Sequence, residues 1–314
     1  MTKKIATREA YGKVLVELGK QNEDIVVLDA DLSKSTKTSS FGKVFPNRFF
    51  NMGISEQNLM GTAAGLAASG KIPFASTFAM FATGRAFEII RNSICYPKLN
   101  VKVCATHAGI TVGEDGASHQ ALEDIACMRA IPNMTVINPA DAISAEALIY
   151  AASEYKGPVY IRLGRAKVPV IYNKEDYEFE IGKGIEVKEG QDVTIIATGI
   201  MVDKALKARE DLLKEGISAR VIDIHTIKPI DKDIIIKATK ETKAIVTVEE
   251  HNILGGLGSA VAEVVVENSP VPMKMIGIND TFGESGKPDQ LLEKYGLTSE
   301  NIFNKVKELL NKLK

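Results

Sequence analysis

The chain has no tryptophan, three cysteines and four histidines among its 314 residues. The cysteines, Cys95, Cys104 and Cys127, form no CxxC pair and are odd in number. That excludes a disulfide framework and reads as thiols kept in a reducing compartment. The histidines are far apart, and there is neither an HExxH pattern nor a His/Cys cluster, so no metal site is expected from this chain alone. Charge of one sign is also missing: 39 basic residues are mixed with 40 acidic ones for a net charge of −1, which disfavours nucleic acid or an anionic membrane as partner. No apolar run approaches the roughly 20 residues that span a bilayer. The opening residues MTKKIATREAYGKVLVELG are broken by Arg8 and Glu9. They read as an amphipathic helix with Ile5, Ala10, Val14, Leu15 and Leu18 on one side, not as a secretory leader, and the expected location is cytoplasmic. Walker A and GxSxG patterns do not occur, and GGLGSA near residue 255 does not satisfy GxGxxG in frame.

What is present is a repeated alternation of short β-branched runs with helical patterns. Asp24–Asp29, Ile72–Ser76, Val101–Thr106, Met134–Ile137 and Val159–Leu163 read as strands. Ser55–Ser69, Phe81–Cys95, Ala121–Ala130 and Asp141–Ser153 read as the helices between them. A charged, turn-rich stretch from Ala166 to Gly190 interrupts the pattern. Strands then resume at Val193–Thr198, Arg220–Ile224, Ala244–Glu249 and Met273–Ile278. Helices are expected at Asp203–Glu215, Asp231–Thr239, Leu257–Glu267 and Ser299–Leu313. The expected fold class is α/β, with two domains of mostly parallel sheets flanked by helices: 1–168, a linker at 169–184, and 185–314. The last helix gathers Ile302, Phe303, Val306, Leu309, Leu310 and Leu313 on one face, to pack on its own domain.

Four segments carry candidate chemistry. In NMGISEQNLMGTAAGLAASG, Ser55 is a candidate N-cap, with Asn58 three positions on, and Glu56 falls in the first helical turn. A first-turn acid offsets the helix dipole, and on spacing alone Glu56 does no more than that. Its run of small residues suits close packing against another helix, of this chain or of another subunit. Phe78 and Phe81 are three apart at a strand-to-helix junction and suit either core packing or stacking on a planar ligand. The segment VCATHAGITVGEDGASHQALEDIACMRAIPN places His107 at the carboxyl end of a strand, where open α/β sheets hold ligands. It then delivers Glu114, Asp115, Ser118 and His119 on one glycine-rich loop, a concentration of polar groups that points to binding. LDADLSKSTKTSS and YIRLGRAKVP set Asp29, Asp31, Ser33, Ser35, Arg162 and Arg165 at further strand ends, where Arg with Ser and His can hold a phosphate or stand as solvated loops.

Taken in order, ADLSKS, GISEQNLMGTAAGLA, STFAMF, ATHAGITVGEDGASHQALEDIACMRAIPNMTVINPAD and IRLGR resemble the transketolase family across the whole first half. EEHNILGGLGSAVAE resembles that family's C-terminal domain, in a signature shared with related thiamine enzymes. The resemblance implies a C-terminal transketolase section: a pyrimidine-binding domain for thiamine diphosphate followed by the C-terminal domain. It implies that Glu56 hydrogen-bonds the N1′ nitrogen of the aminopyrimidine and activates the cofactor. Phe81 and Phe78 then wall the pyrimidine, and Asp31 lies beside the cofactor. His107, Asp115 and His119 meet the sugar hydroxyls, with His119 near the reacting end, and Ser35 and Arg165 meet the sugar phosphate. The implied reaction moves a two-carbon ketol unit from a ketose phosphate such as xylulose 5-phosphate to an aldose phosphate, in the pentose phosphate pathway. The sequence lacks the GDG motif that holds magnesium and the diphosphate in the family. The implied particle therefore pairs this chain with an N-terminal subunit carrying those groups, as two copies of each, with self-association. Two departures stand out: Gly84 where the family often has a third aromatic, and SEQN where it has REHA. Competing expectations are a 2-oxoacid dehydrogenase beta subunit, a deoxyxylulose phosphate synthase, or a non-catalytic α/β regulatory module.

Overall fold

The computed structural model describes residues 3–313, in which two sheets are each sandwiched between helices. The first sheet has seven strands in the spatial order Thr226–Lys228, Thr135–Ile137, Val159–Arg162, Lys102–Thr106, Ile72–Phe78, Ile25–Asp29 and Phe49–Asn51. Six of these run parallel; Thr226–Lys228, which comes from the second half of the chain, adds an antiparallel edge. Parallel strands are covered on both faces, which is why their sequences are near-continuous apolar runs. Alternation sorts the residues by face: Val26, Leu28, Ala75 and Val103 pack toward the helix Glu56–Ala68. Ile25, Val27, Phe74 and Cys104 pack toward Thr7–Gln21 and Ala142–Glu154. The second sheet runs Met273–Ile278, Ile245–Asn252, Val193–Ala197, Ala219–Asp223 and Ile185–Lys188, antiparallel only at the last.

The mostly parallel α/β architecture is the one the alternation predicts. Differences lie at the edges and the ends. Phe49–Asn51 and Thr226–Lys228 are three-residue edge strands with too little pattern to read. The stretch read as a linker is ordered by neighbours: Val168–Pro169 pairs with Lys4–Ile5, and the Asp141 carboxylate accepts the N–H groups of Ile171 and Tyr172. The helix expected at Phe81–Cys95 is wound as π turns at Phe81–Arg85 and Ile90–Cys95 around a short α segment. The helix expected from Ala121 starts at Asp124, because Arg162 and Gly109 take up the Ala121 carbonyl. The last helix, Ser299–Asn311, buries Ile302, Val306 and Leu309 against its own domain, while Leu313 lies beyond it and is exposed. No helix among the described residues is long and apolar enough to cross a membrane.

Candidate active site

The site residues gather at the carboxyl ends of the central strands of the first sheet. Glu56 opens the helix Glu56–Ala68 and is only 4 % exposed. Ser55 precedes it but makes no side-chain cap bond, so the N-terminal N–H groups are not closed in the way its type suggests. Instead the Glu56 carboxylate meets Arg85, whose Nη1 lies 3.3 Å from both of its oxygens. Arg85 comes from the first π turn, with its guanidinium carbon 4.3 Å from the Phe81 ring centroid. A π turn adds a residue to the helical repeat, and it is this segment that sets Phe81, Gly84 and Arg85.

Phe78 and Phe81 do come together, with ring centroids 6.0 Å apart. His107 stacks on Phe78 at 3.8 Å, and His119 meets Phe81 edge-on at 5.3 Å. The result is a wall of two benzyl rings and two imidazoles beside a buried carboxylate. His107 holds a left-handed backbone (φ 58°) at the end of its strand. Its Nε2 faces Arg8 Nη1 at 3.3 Å and its Nδ1 faces Thr106 Oγ1 at 2.9 Å. Because arginine can only donate, Nε2 accepts and Nδ1 carries the proton. Burial first, then the charges of Arg8, Arg165, His119 and Lys37, push the His107 pKa down to about 3, so the ring is neutral.

Arg8 also donates to the Ser35 carbonyl at 2.8 Å, which ties Ser35 to the same cluster. Arg165 donates to the Val112 carbonyl at 2.9 Å and to Glu114 at 3.0 Å. Arg8, Arg165 and Lys37 thus surround His107 with positive charge suited to an anion. Asp31 is exposed and lies outside the aromatic wall, paired through its carboxylate and N–H with Asn51. Asp115 is exposed at the end of a 3-10 turn and makes no side-chain hydrogen bond or ion pair among the described residues. Arg162, left open by the sequence as a phosphate holder or a solvated loop residue, is buried against Asp124, bonded at 2.8 and 3.1 Å, and faces the second domain.

Two functional candidates escape a sequence reading. Arg8 and Arg85 lie 99 and 29 residues from the partners they meet. One signal was available: a cation in the first turn of a helix, as Arg8 is in Thr7–Gln21, opposes the dipole and calls for a reason. Beyond Phe81 a cleft of ≈ 590 Å³ opens between the domains, lined by Gly84, Arg85, Glu123, Asn252, Asp280 and Phe282 among others. A Cβ at Gly84 would touch only the Met80 methyl group, so the missing aromatic leaves open space there.

The family model for the transketolase pyrimidine binding domain matches residues 3–170, and that for the transketolase C-terminal domain matches residues 182–302. A Methanocaldococcus jannaschii protein named as a transketolase C-terminal section is 58 % identical over 97 % of this chain and 96 % of its own length. The human transketolase is 39 % identical over 98 % of this chain, which spans 50 % of that protein. A solved structure described as a split-gene transketolase, an inactive beta4 tetramer, shares 62 % identity with a TM-score of 0.92, covering 98 % of this chain and 99 % of that one. The Campylobacter jejuni transketolase shares the fold, with a TM-score of 0.84 at 24 % identity over 98 % of this chain and 47 % of that one. On these matches and on the fold, the chain belongs to the transketolase family, of which it carries the pyrimidine-binding and C-terminal domains.

Proposed function

We propose that the chain is the C-terminal subunit of a split transketolase, which moves a two-carbon ketol unit from a ketose phosphate to an aldose phosphate. The observation that carries this reading is the buried Glu56 carboxylate set beside the wall of Phe78, Phe81, His107 and His119. Of these, Glu56, Phe78 and Phe81 fit the aminopyrimidine end of thiamine diphosphate, a carboxylate for a ring nitrogen and aromatic faces for a flat heterocycle, and the two histidines are left for the sugar. The diphosphate and its magnesium ion we assign to an N-terminal partner subunit. The similarity to a split-gene structure supports that division, and the beta4 state of that relative supports self-association of this chain.

When bound, thiamine diphosphate supplies the carbanion stabilisation that side chains lack. The chain's own part begins with Glu56, which would hold a proton at the pyrimidine nitrogen from its buried position, in competition with Arg85. His119, half-buried with Nδ1 3.0 Å from Ser118 Oγ, is placed to exchange a proton with a sugar hydroxyl. His107, held neutral, offers its ring to a hydroxyl without adding charge, and Asp115 is the outer contact. Asp31, exposed and outside the aromatic wall, would meet the cofactor only at its outer edge. Arg8, Arg165 and Ser35 take the anionic tail. Relatives at 43 % and 40 % identity are named for 6-deoxy-6-sulfo-D-fructose and apulose 4-phosphate, both anionic sugars.

The test is to combine the chain with its N-terminal partner, magnesium and thiamine diphosphate and to follow transfer from xylulose 5-phosphate to ribose 5-phosphate. Glu56→Ala is expected to lower turnover at least about 100-fold while the complex still assembles. Undiminished transfer by that variant would sink the proposal.

A further inference from the structure

Glu249, Glu250 and His251 stand in succession on the strand Ile245–Asn252 of the second sheet, and all three are buried. Glu249 turns into its own domain and accepts the N–H groups of Leu257 at 2.7 Å and Gly258 at 2.8 Å. Neighbouring side chains on a strand face opposite ways, and Glu250 projects into the first domain. Its Oε1 accepts the backbone N–H of Thr111 at 2.7 Å. Thr111 lies on the loop that joins His107 to His119. The carboxylate sits so close beneath Gly109, itself at φ +80°, that a Cβ there would collide with it.

The rest of the loop is tied to the same domain. The Gln120 amide donates to the Ile110 carbonyl at 3.2 Å and to the Glu284 carbonyl at 2.9 Å. Ser285 Oγ donates to the Glu114 carbonyl at 3.0 Å. Arg162 Nη2 joins the strand to the loop's far end, donating to the Glu250 carbonyl at 3.0 Å and the Ala121 carbonyl at 3.3 Å.

We propose that Glu250 is a positioning residue for the sugar site, acting through Thr111 to hold the loop that carries His107 and His119. This placement is what the second domain contributes to the reaction. The inference rests on the functional reading above, in which those two histidines meet the sugar. Its physical basis is that a buried carboxylate accepting an N–H makes a stronger bond than a neutral acceptor does. A site needs its groups held to within about 0.5 Å, and the loop between the strand Lys102–Thr106 and the helix Asp124–Ala130 belongs to no strand ladder that could do so. Glu56 rides on a different element, the helix Glu56–Ala68, which makes no hydrogen bond to Glu250. Loss of the anchor therefore separates sugar binding from cofactor binding.

The test compares Glu250→Met, which keeps bulk and loses the acceptor, with Glu250→Gln, which keeps an oxygen for Thr111. In the assembled complex, Glu250→Met is expected to raise KM for both sugar phosphates about tenfold, the loss of one charge-assisted hydrogen bond. The cofactor Kd is expected to stay within about twofold, and Glu250→Gln to restore KM to within about threefold. Hydrogen exchange gives a reading that needs no activity. In the unmodified chain the Thr111 amide is expected to exchange at least about 100-fold more slowly than those of Ala117 and Ser118, with this protection kept in Glu250→Gln. Equal KM values for the two variants, a cofactor Kd that rises in step with KM, or an unprotected Thr111 amide would each overturn the proposal. If Glu250→Met does not fold, Thr111 exchange in the unmodified and Gln chains decides the matter. Absence of ketol transfer in the unmodified complex would overturn the functional reading and the sugar role together, while exchange still reports the anchor itself.

Discussion

Arg85 donates from one nitrogen to both oxygens of the Glu56 carboxylate, 3.3 Å from each, while its guanidinium lies over the face of Phe81. A pyrimidine that stacked on that face and bonded to that carboxylate would compete with Arg85 for both contacts. Arg85 is 54 % exposed along its side chain, so the pair adds little to stability. Arg85→Met is expected to lower the stability of the chain by at most about 1 kcal/mol. In the complex it is expected to tighten thiamine diphosphate binding severalfold, read by calorimetry. Weaker binding in this variant would show that Arg85 assists the cofactor.

Arg8 has the opposite expected effect on a different ligand. It donates to the Ser35 carbonyl and to His107, and its Nε is buried without a partner among the described residues. Arg8→Met removes one of the cations around His107. KM for a phosphorylated ketose is expected to rise about tenfold or more, the worth of one bond to a charged group. An unphosphorylated ketose should be affected far less. Equal changes for both donors would remove Arg8 from the anion site.

How much of this was legible in the sequence depends on the distance over which each signal acts. The buried strands declared themselves because both faces are covered, so Ile25–Asp29 is apolar up to its final Asp29 and Val193–Ala197 is broken only by Thr194. The His107–His119 loop could be read because its polar groups are consecutive. Arg162, left open between a phosphate holder and a solvated loop, is neither, for a physical reason: at a strand end, nothing local announces the partner of a buried acid 38 residues away. Arg85 was hidden by the π turns, which a 3.6-residue repeat does not describe. Thr226–Lys228 crosses to the other sheet, and its three residues carry no pattern to announce that.

The buried pair of Asp124 and Arg162, both of the first domain, sits at the seam, where Arg162 donates to the Glu250 carbonyl. Asp124 also accepts from Tyr160 at 2.7 Å. Burial opposes its charge, yet Arg162 and these hydrogen bonds hold its carboxyl below the ordinary range. Asp124→Ala strands a buried guanidinium and is expected to cost about 3–5 kcal/mol in denaturant unfolding. The double change Asp124→Leu with Arg162→Met is expected to cost less than the single one, since no charge is left unpaired. A double variant as unstable as the sum of its parts would show that the pair does not act as a unit.

Asp223 carries the opposite pH signature. Its Oδ2 accepts from Tyr172 at 2.8 Å, and its Oδ1 is buried with no partner among the described residues. Burial pushes its pKa up to about 8, against an ordinary value near 3.8. The folded state therefore holds a proton that the unfolded state has already released. The stability this confers is full below the ordinary value and is lost as pH rises through the folded one. Histidines of lowered pKa, His107, His225 and His251, act in reverse, losing stability as pH falls below about 6.5. Comparing Asp223→Asn with the unmodified chain cancels those contributions, and the amide oxygen still accepts from Tyr172. Between pH 5 and 7.5 the unmodified chain should lose stability relative to the variant at roughly 1.4 kcal/mol per pH unit, one proton's worth. Parallel stability curves for the two chains across that range would mean that Asp223 is ionised in the fold.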